Sequence, residues 1–286
     1  MLSIGTKISS HRSGVLGKKQ TLKQLLASKP RRVQSFKHLI EQTAELSFHN
    51  PDHVLFFRGQ DREYVKKVKG KWVPSFYPTI YRSPGFRLSE EELTQRFERL
   101  DKFTDRLRSV FKEKDVTGHE KLANFPEIVW AILQHYGACD TPLLDVTHSL
   151  RVAASFALDH KEDTGFVFVF GFPYPNASIT YSVDNELLNV RLLSICPPAA
   201  RRPFFQEGFL VGTFPSRKVR KHPSLDLNVR LIARYQLIRE GFWDSHFSPI
   251  PHDALFPKED EVEEICTRVR AEISAATAHV SKSIRD

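Results

Sequence analysis

The sequence predicts a single α+β domain, with helices mainly in the N-terminal half and a mixed or antiparallel sheet. Three observations predict it. Apolar residues recur at helical spacing within long polar stretches of the first half. Short apolar runs separated by proline-rich turns dominate the second half. A hydrophobic content of 41%, with 22 phenylalanines, is enough to bury a sizeable core.

The first helix is expected where Phe36, Leu39, Ile40 and Leu46 share a face, ending before Asn50-Pro51. The apolar run Val54-Leu55-Phe56-Phe57 reads as a buried strand that ends on Arg58 and Gly59. Asp61–Trp72 is polar and lysine-rich and reads as a loop or exposed hairpin. Pro78–Arg82 reads as a short extended piece closed by a turn at Ser83-Pro84-Gly85. Ser89-Glu90-Glu91-Glu92 is a capping-box start, followed by Leu93, Phe97, Leu100, Leu107 and Phe111 at helical spacing. Pro126 opens a second helix that Gly137 closes after Tyr136. Thr141–Val146 reads as a strand. Ser149–Leu158 reads as a helix whose Ala153, Ala154 and Ala157 let it lie close on a sheet. Strands are expected at Phe166–Phe172, Leu187–Leu193, Phe204–Val211 and Val229–Ile238, and a last amphipathic helix starts in Glu259–Val269.

Charge is distributed unevenly. The net charge is +8, yet nine basic residues precede the first acid, Glu41; the remainder holds 33 basic against 34 acidic residues. The high isoelectric point therefore belongs to an arm over residues 1–32, and a domain over 33–286 is expected to be nearly neutral. Such an arm fits nucleic acid or an anionic surface, and it fits equally a solvated leader or a short helix at Thr21–Ala27. The three cysteines, Cys139, Cys196 and Cys266, form no CxxC pair, which argues against a disulfide scaffold or a zinc ribbon and for a reducing compartment. No apolar run approaches the roughly 20 residues of a membrane-spanning helix. A soluble, cytoplasmic protein without a metal centre is expected.

Arg58 presents a permanent fork of donors that fits a carboxylate or phosphate. It could equally pair with an internal acid. Asp145 ends an apolar strand and needs a partner, for which Arg58 and Arg82 are the candidates. His135 shares a helix face with Ile128 and Ile132, as a core histidine would. Thr147 is placed to cap the helix that follows it. Gln206 lies within a strand-like run.

Phe57-Arg58-Gly59-Gln60, Pro78-Thr79-Ile80-Tyr81-Arg82, Gln134-His135-Tyr136-Gly137, Thr141-Pro142-Leu143-Leu144-Asp145 and the Ala153–Ala157 helix together resemble the FRG domain family. Gln206-Glu207-Gly208-Phe209 and Leu255-Phe256-Pro257 resemble its later elements, so the likeness runs from about Phe36 to Val262. The family is often found in bacterial and phage-defence settings. The resemblance implies a concave site for an anionic, nucleotide-like ligand, contacted by Arg58, Gln60, Tyr81, Arg82, Gln134, His135, Thr147 and Gln206.

The order of these parts is also similar to that of the ADP-ribosyltransferases. That likeness implies an NAD-using transferase in which Arg58 holds the cofactor phosphates and Thr147 lies beside the nicotinamide ribose. Glu207 would then take the ribose hydroxyl, or Asp145 would supply the catalytic carboxylate. A non-catalytic module for a nucleotide or a nucleic-acid end, assisted by the basic arm, explains the arginines equally well. A cysteine or metal hydrolase built on His135, Cys139, Asp145 and His148 matches no familiar ligand spacing.

Overall fold

The computed structural model describes residues 21–83, 88–214 and 225–283. The segment before Thr21 and the Pro84-Gly85 half of the expected turn lie outside them. Helix α1 (Leu22–Ala27), strand β1 (Arg31–Val33), helix α2 (Phe36–His49) and strand β2 (Val54–Gln60) lead into a hairpin of β3 (Val65–Val68) and β4 (Lys71–Pro74). A 3-10 turn at Thr79–Tyr81 precedes helices α3 (Glu90–Glu113), α4 (His119–Asn124) and α5 (Pro126–His135). Strand β5 (Leu143–Thr147), helix α6 (Leu150–Ala157) and strand β6 (Thr164–Phe172) follow. The rest comprises β7 (Ile179–Ser182), β8 (Leu187–Arg191), α7 (Leu192–Ile195), α8 (Arg202–Phe205), β9 (Gly208–Thr213), β10 (Leu231–Ile238), α9 (His252–Leu255) and α10 (Glu261–Ser283).

The main sheet has eight strands in the order β1-β10-β6-β2-β5-β9-β8-β7. Strand β1 runs parallel to β10 and the other pairs are antiparallel, so the sheet is mixed. The α+β class is as expected. Position 33 proves to be the last residue of β1, and Leu25 of α1 is buried in the core, so the ordered body reaches back into the basic segment. Thr21 closes a capping box on α1.

Strand β6 sits near the middle of the sheet, which is why it is apolar on both faces. Its Val167 and Val169 join α2 and α6 in one core layer, while Phe168, Phe170 and Phe172 meet Phe56, Phe76 and Phe209 in the other. Each such buried ring contributes roughly 1.5–3 kcal/mol. Helix α6 lies almost on the backbone of β2 and β6. A Cβ on Gly59 would sit 1.8 Å from the Ala153 carbonyl oxygen, and one on Gly165 would sit 1.9 Å from that of Ala157. Glycine at 59 is therefore a packing requirement, and β2 continues through Arg58 to Gln60 rather than ending at the arginine.

Helix α5 covers the other half of the sheet, where Ala131 packs with Leu143, Leu188 and Leu210. Helices α3, α4, α5 and α10 share a separate core around Phe97, Phe103, Phe111, Ile132 and Ile265. Several expected strands start later or end earlier than read: β5 begins at Leu143, and Val229-Arg230 belong to a 3-10 turn before β10. Leu187–Leu193 turns helical after Arg191, and Phe204–Val211 begins as helix α8, its strand starting only at Gly208. The Pro78–Arg82 piece is a 3-10 turn, α4 was not anticipated, and Asp61–Trp72 contains a hairpin. No helix among the described residues is long and apolar enough to cross a membrane.

Candidate functional site

Strands β2 and β5 are neighbours in the sheet but pair only at Phe57 and Thr147. Beyond that pair the ladder stops, and Arg58 takes over: its Nη1 donates to the main-chain carbonyl of Asp145 at 2.6 Å. A cleft of about 290 Å³ opens over this junction, between the C-terminal end of α5 and helix α6. Arg58, Gln134, His135, Asp145, Thr147 and Gln206 all line it, together with Arg202, Phe156 and Gly208.

Asp145 organises the floor. Its Oδ2 accepts from Gln134 Nε2 at 3.0 Å, and its Oδ1 lies 3.2 Å from His135 Nδ1. Burial alone would raise its pKa. The hydrogen bond from His135, the charge of Arg58 and the bond from Gln134 outweigh that and hold it at about 2. The carboxylate is thus ionised, with 35% of its side chain exposed. Burial lowers the pKa of His135, so its imidazole is neutral at pH 7. Because a carboxylate can only accept, the proton is assigned to Nδ1, and the buried Nε2 has no partner among the described residues.

Gln134 is held at both ends of its amide. While its amide nitrogen holds Asp145, its Oε1 accepts from Thr79 Oγ1 at 3.2 Å and Thr141 Oγ1 at 2.8 Å. Thr147 is not the cap of α6; Ser149 is, accepting from Val152 N. The Thr147 hydroxyl instead accepts from Ser149 N and donates to the Glu207 carbonyl, tying β5 to the start of β9. Gln206 is buried at the end of α8, not within a strand, and donates to the Leu255 carbonyl at 2.8 Å.

The remaining expected residues stand elsewhere. Gln60, at the end of β2, does not line the cleft, and its buried Oε1 has no partner among the described residues. Tyr81 packs against Phe97 in the helical core. Arg82 is exposed and donates through Nε to the Tyr77 carbonyl at 2.8 Å. Glu207 is exposed and holds left-handed backbone, φ 45°. It does not line the cleft.

Arg202 was missed because nothing in Arg201-Arg202-Pro203 signals a site. It is placed by tertiary contacts. Its backbone N–H donates to Asp260 Oδ2 at 2.8 Å, and its guanidinium lies over Phe256 at 4.8 Å and Tyr136 at 5.6 Å. Asp260 also accepts from Tyr136 Oη and from the first backbone N–H groups of α10, so one buried carboxylate ties α10 to the cleft wall. Arg58 Nε and Arg202 Nε are both buried without a partner among the described residues.

Cys139 is not activated, since burial pushes its thiol up to about 12. His148 does not line the cleft; its ring packs between Phe56 at 4.0 Å and Phe209 at 4.3 Å. Among the described residues, no three His, Cys, Asp or Glu side chains are grouped to hold a metal ion.

These features define an α+β protein whose sheet parts at its centre over a polar, ligand-sized cleft. Residues 53–165 match the family model of the FRG domain, so this stretch of the chain is an FRG domain. The match takes in Arg58, Gln134, His135, Asp145 and Thr147; Arg202 and Gln206, on the far wall, lie beyond it. Comparison with curated proteins gave no match, and comparison with solved structures gave none.

Proposed function

We propose that the cleft binds an anionic, nucleotide-like ligand through Arg58 and Arg202. One observation carries this reading: two guanidinium groups line the same cleft, each with a buried Nε–H left unpaired. An unpaired donor on a buried charged group is costly, and phosphate or carboxylate oxygens would satisfy it bidentately. The volume of about 290 Å³ is at the small end for ligand pockets, room for one mononucleotide half rather than a whole dinucleotide.

Isothermal titration with inorganic phosphate, adenosine monophosphate and NAD tests the reading. Binding of at least one is expected, weakened about tenfold or more by Arg58→Ala and by Arg202→Ala. A wild-type protein that binds none of the three overturns it.

A second reading, an NAD-using transferase, is favoured by the ionised and partly exposed Asp145 beside Arg58. When a glycosidic bond to nicotinamide breaks, the bonding electrons leave with the base and an oxocarbenium-like cation forms on the ribose. A nearby carboxylate stabilises that cation, and arginines hold the phosphates. Asp145 lines the cleft and Glu207 does not, so this reading assigns the carboxylate to Asp145. Release of labelled nicotinamide from NAD should then be abolished by Asp145→Asn and unchanged by Glu207→Gln. The opposite pattern returns the role to Glu207.

A further inference from the structure

The β3–β4 hairpin stands outside the main sheet, as a separate two-stranded ribbon. Between Val65 and Pro74 it carries Lys66, Lys67, Lys69 and Lys71 and no acid. Its register places Lys67 opposite Trp72 and Lys66 opposite Val73, so these pairs occupy opposite faces. The inner face is tied to the body: Lys66 Nζ sits 2.5 Å from the buried Asp226 and 4.6 Å from the Tyr77 ring centroid. The outer face has no such tie. Trp72 is 65% exposed, and Lys67 lies over its ring at 5.9 Å. Lys69 at the tip is exposed, and so is Lys71, although its pairing with Val68 sets it on the Lys66 face.

From this ribbon we infer a second binding surface, for single-stranded nucleic acid, independent of the cleft. An exposed indole on a rigid strand is a stacking platform for an unpaired base, and the flanking ammonium groups meet the phosphates on either side. A paired base cannot use such a platform. The tip argues against insertion into a membrane, because it is Lys69-Gly70, both at positive φ, rather than an apolar pair. The anchoring of Lys66, together with the Asn228 Nδ2 bond to the Pro74 carbonyl at 3.1 Å, holds the ribbon in place before any ligand arrives.

The test is fluorescence anisotropy on the full chain with a labelled single strand of about 12 nucleotides. The variants are Trp72→Ala, Trp72→Phe and a triple Lys67→Gln, Lys69→Asn, Lys71→Gln; asparagine is chosen at 69 because it tolerates left-handed backbone. Wild type is expected to bind. Trp72→Ala should lose about tenfold in affinity, and Trp72→Phe should recover most of it. The triple variant should reduce the log–log salt slope by about 2. The basic N-terminal arm is present in every variant, so affinity indifferent to Trp72 and the three lysines would assign binding to the arm and overturn the proposal. Absence of binding overturns it as well. So does equal affinity for a duplex of the same length, or displacement of the strand by phosphatidylserine vesicles.

Discussion

Arg58 Nη1 donates to the backbone carbonyl of Asp145, at 2.6 Å, and not to its carboxylate. The carboxylate is held by Gln134 and His135, and among the described residues no arginine lies within ion-pair distance of it. The closed Arg58–Asp145 pair that the sequence allowed is therefore absent. The arginine bridges two strands where their ladder stops, and part of its hydrogen-bonding capacity remains unused.

That bridge makes Arg58 structural as well as a candidate ligand contact. Arg58→Ala should lower stability by about 1–3 kcal/mol, because it strands a carbonyl in the gap between β2 and β5. Arg58→Lys keeps the charge but loses the planar fork, so it should bind phosphate-bearing ligands about tenfold more weakly than wild type. Urea denaturation and titration calorimetry on both variants separate the two effects.

Gly59→Ala should cost about 3 kcal/mol. The added Cβ would fall 1.8 Å from a backbone oxygen of α6, which must move as a unit to admit it. The check is the midpoint of urea unfolding, and an unchanged midpoint would mean that α6 does not lie on β2 as described.

Stability should fall as pH drops from about 6.5 towards 4. Burial first, and the charge of Arg191 second, lower the pKa of His148 to about 4. The unfolded chain takes up this proton near 6.5, while the native state resists it until about 4. The stabilisation is therefore complete above 6.5 and is lost on the way down. His135 acts in the same direction, and Asp145 adds a further loss as pH falls from about 4 to about 2. His148→Leu should flatten the limb between 6.5 and 4 in chemical denaturation followed across pH.

Glu207→Gly should raise stability by about 0.5–1 kcal/mol, since it relieves left-handed backbone at φ 45°. Ligand binding in the cleft should not change, because the exposed carboxylate does not line it. Thermal unfolding gives the first result and calorimetric titration the second.

Much of this was legible in the sequence for local reasons. Ser89-Glu90-Glu91-Glu92 closes the capping box it spells, and Pro126 opens α5. The alternation of valine and phenylalanine in β6 records two buried faces. Of the ten site residues the sequence marks, Arg58, Gln134, His135, Asp145, Thr147 and Gln206 line one cleft, and Gln60, Tyr81, Arg82 and Glu207 do not. Strand boundaries at Leu192 and Phe204 were misread because apolar runs of that length carry no period that separates a helical turn from a strand.

The sequence by itself determined the α+β class, the caps, the FRG motifs and the residue types that meet at the cleft, because these rest on local spacing and side-chain chemistry. Only the tertiary structure decided how those side chains are used. Gly59 answers to a helix 94 residues further on, Asp145 binds Gln134 and His135 rather than an arginine, and Glu207 turns outward while Arg202 turns in. Such outcomes depend on where strands stop pairing and which buried donors find acceptors, contacts between segments far apart in the chain that no local pattern encodes.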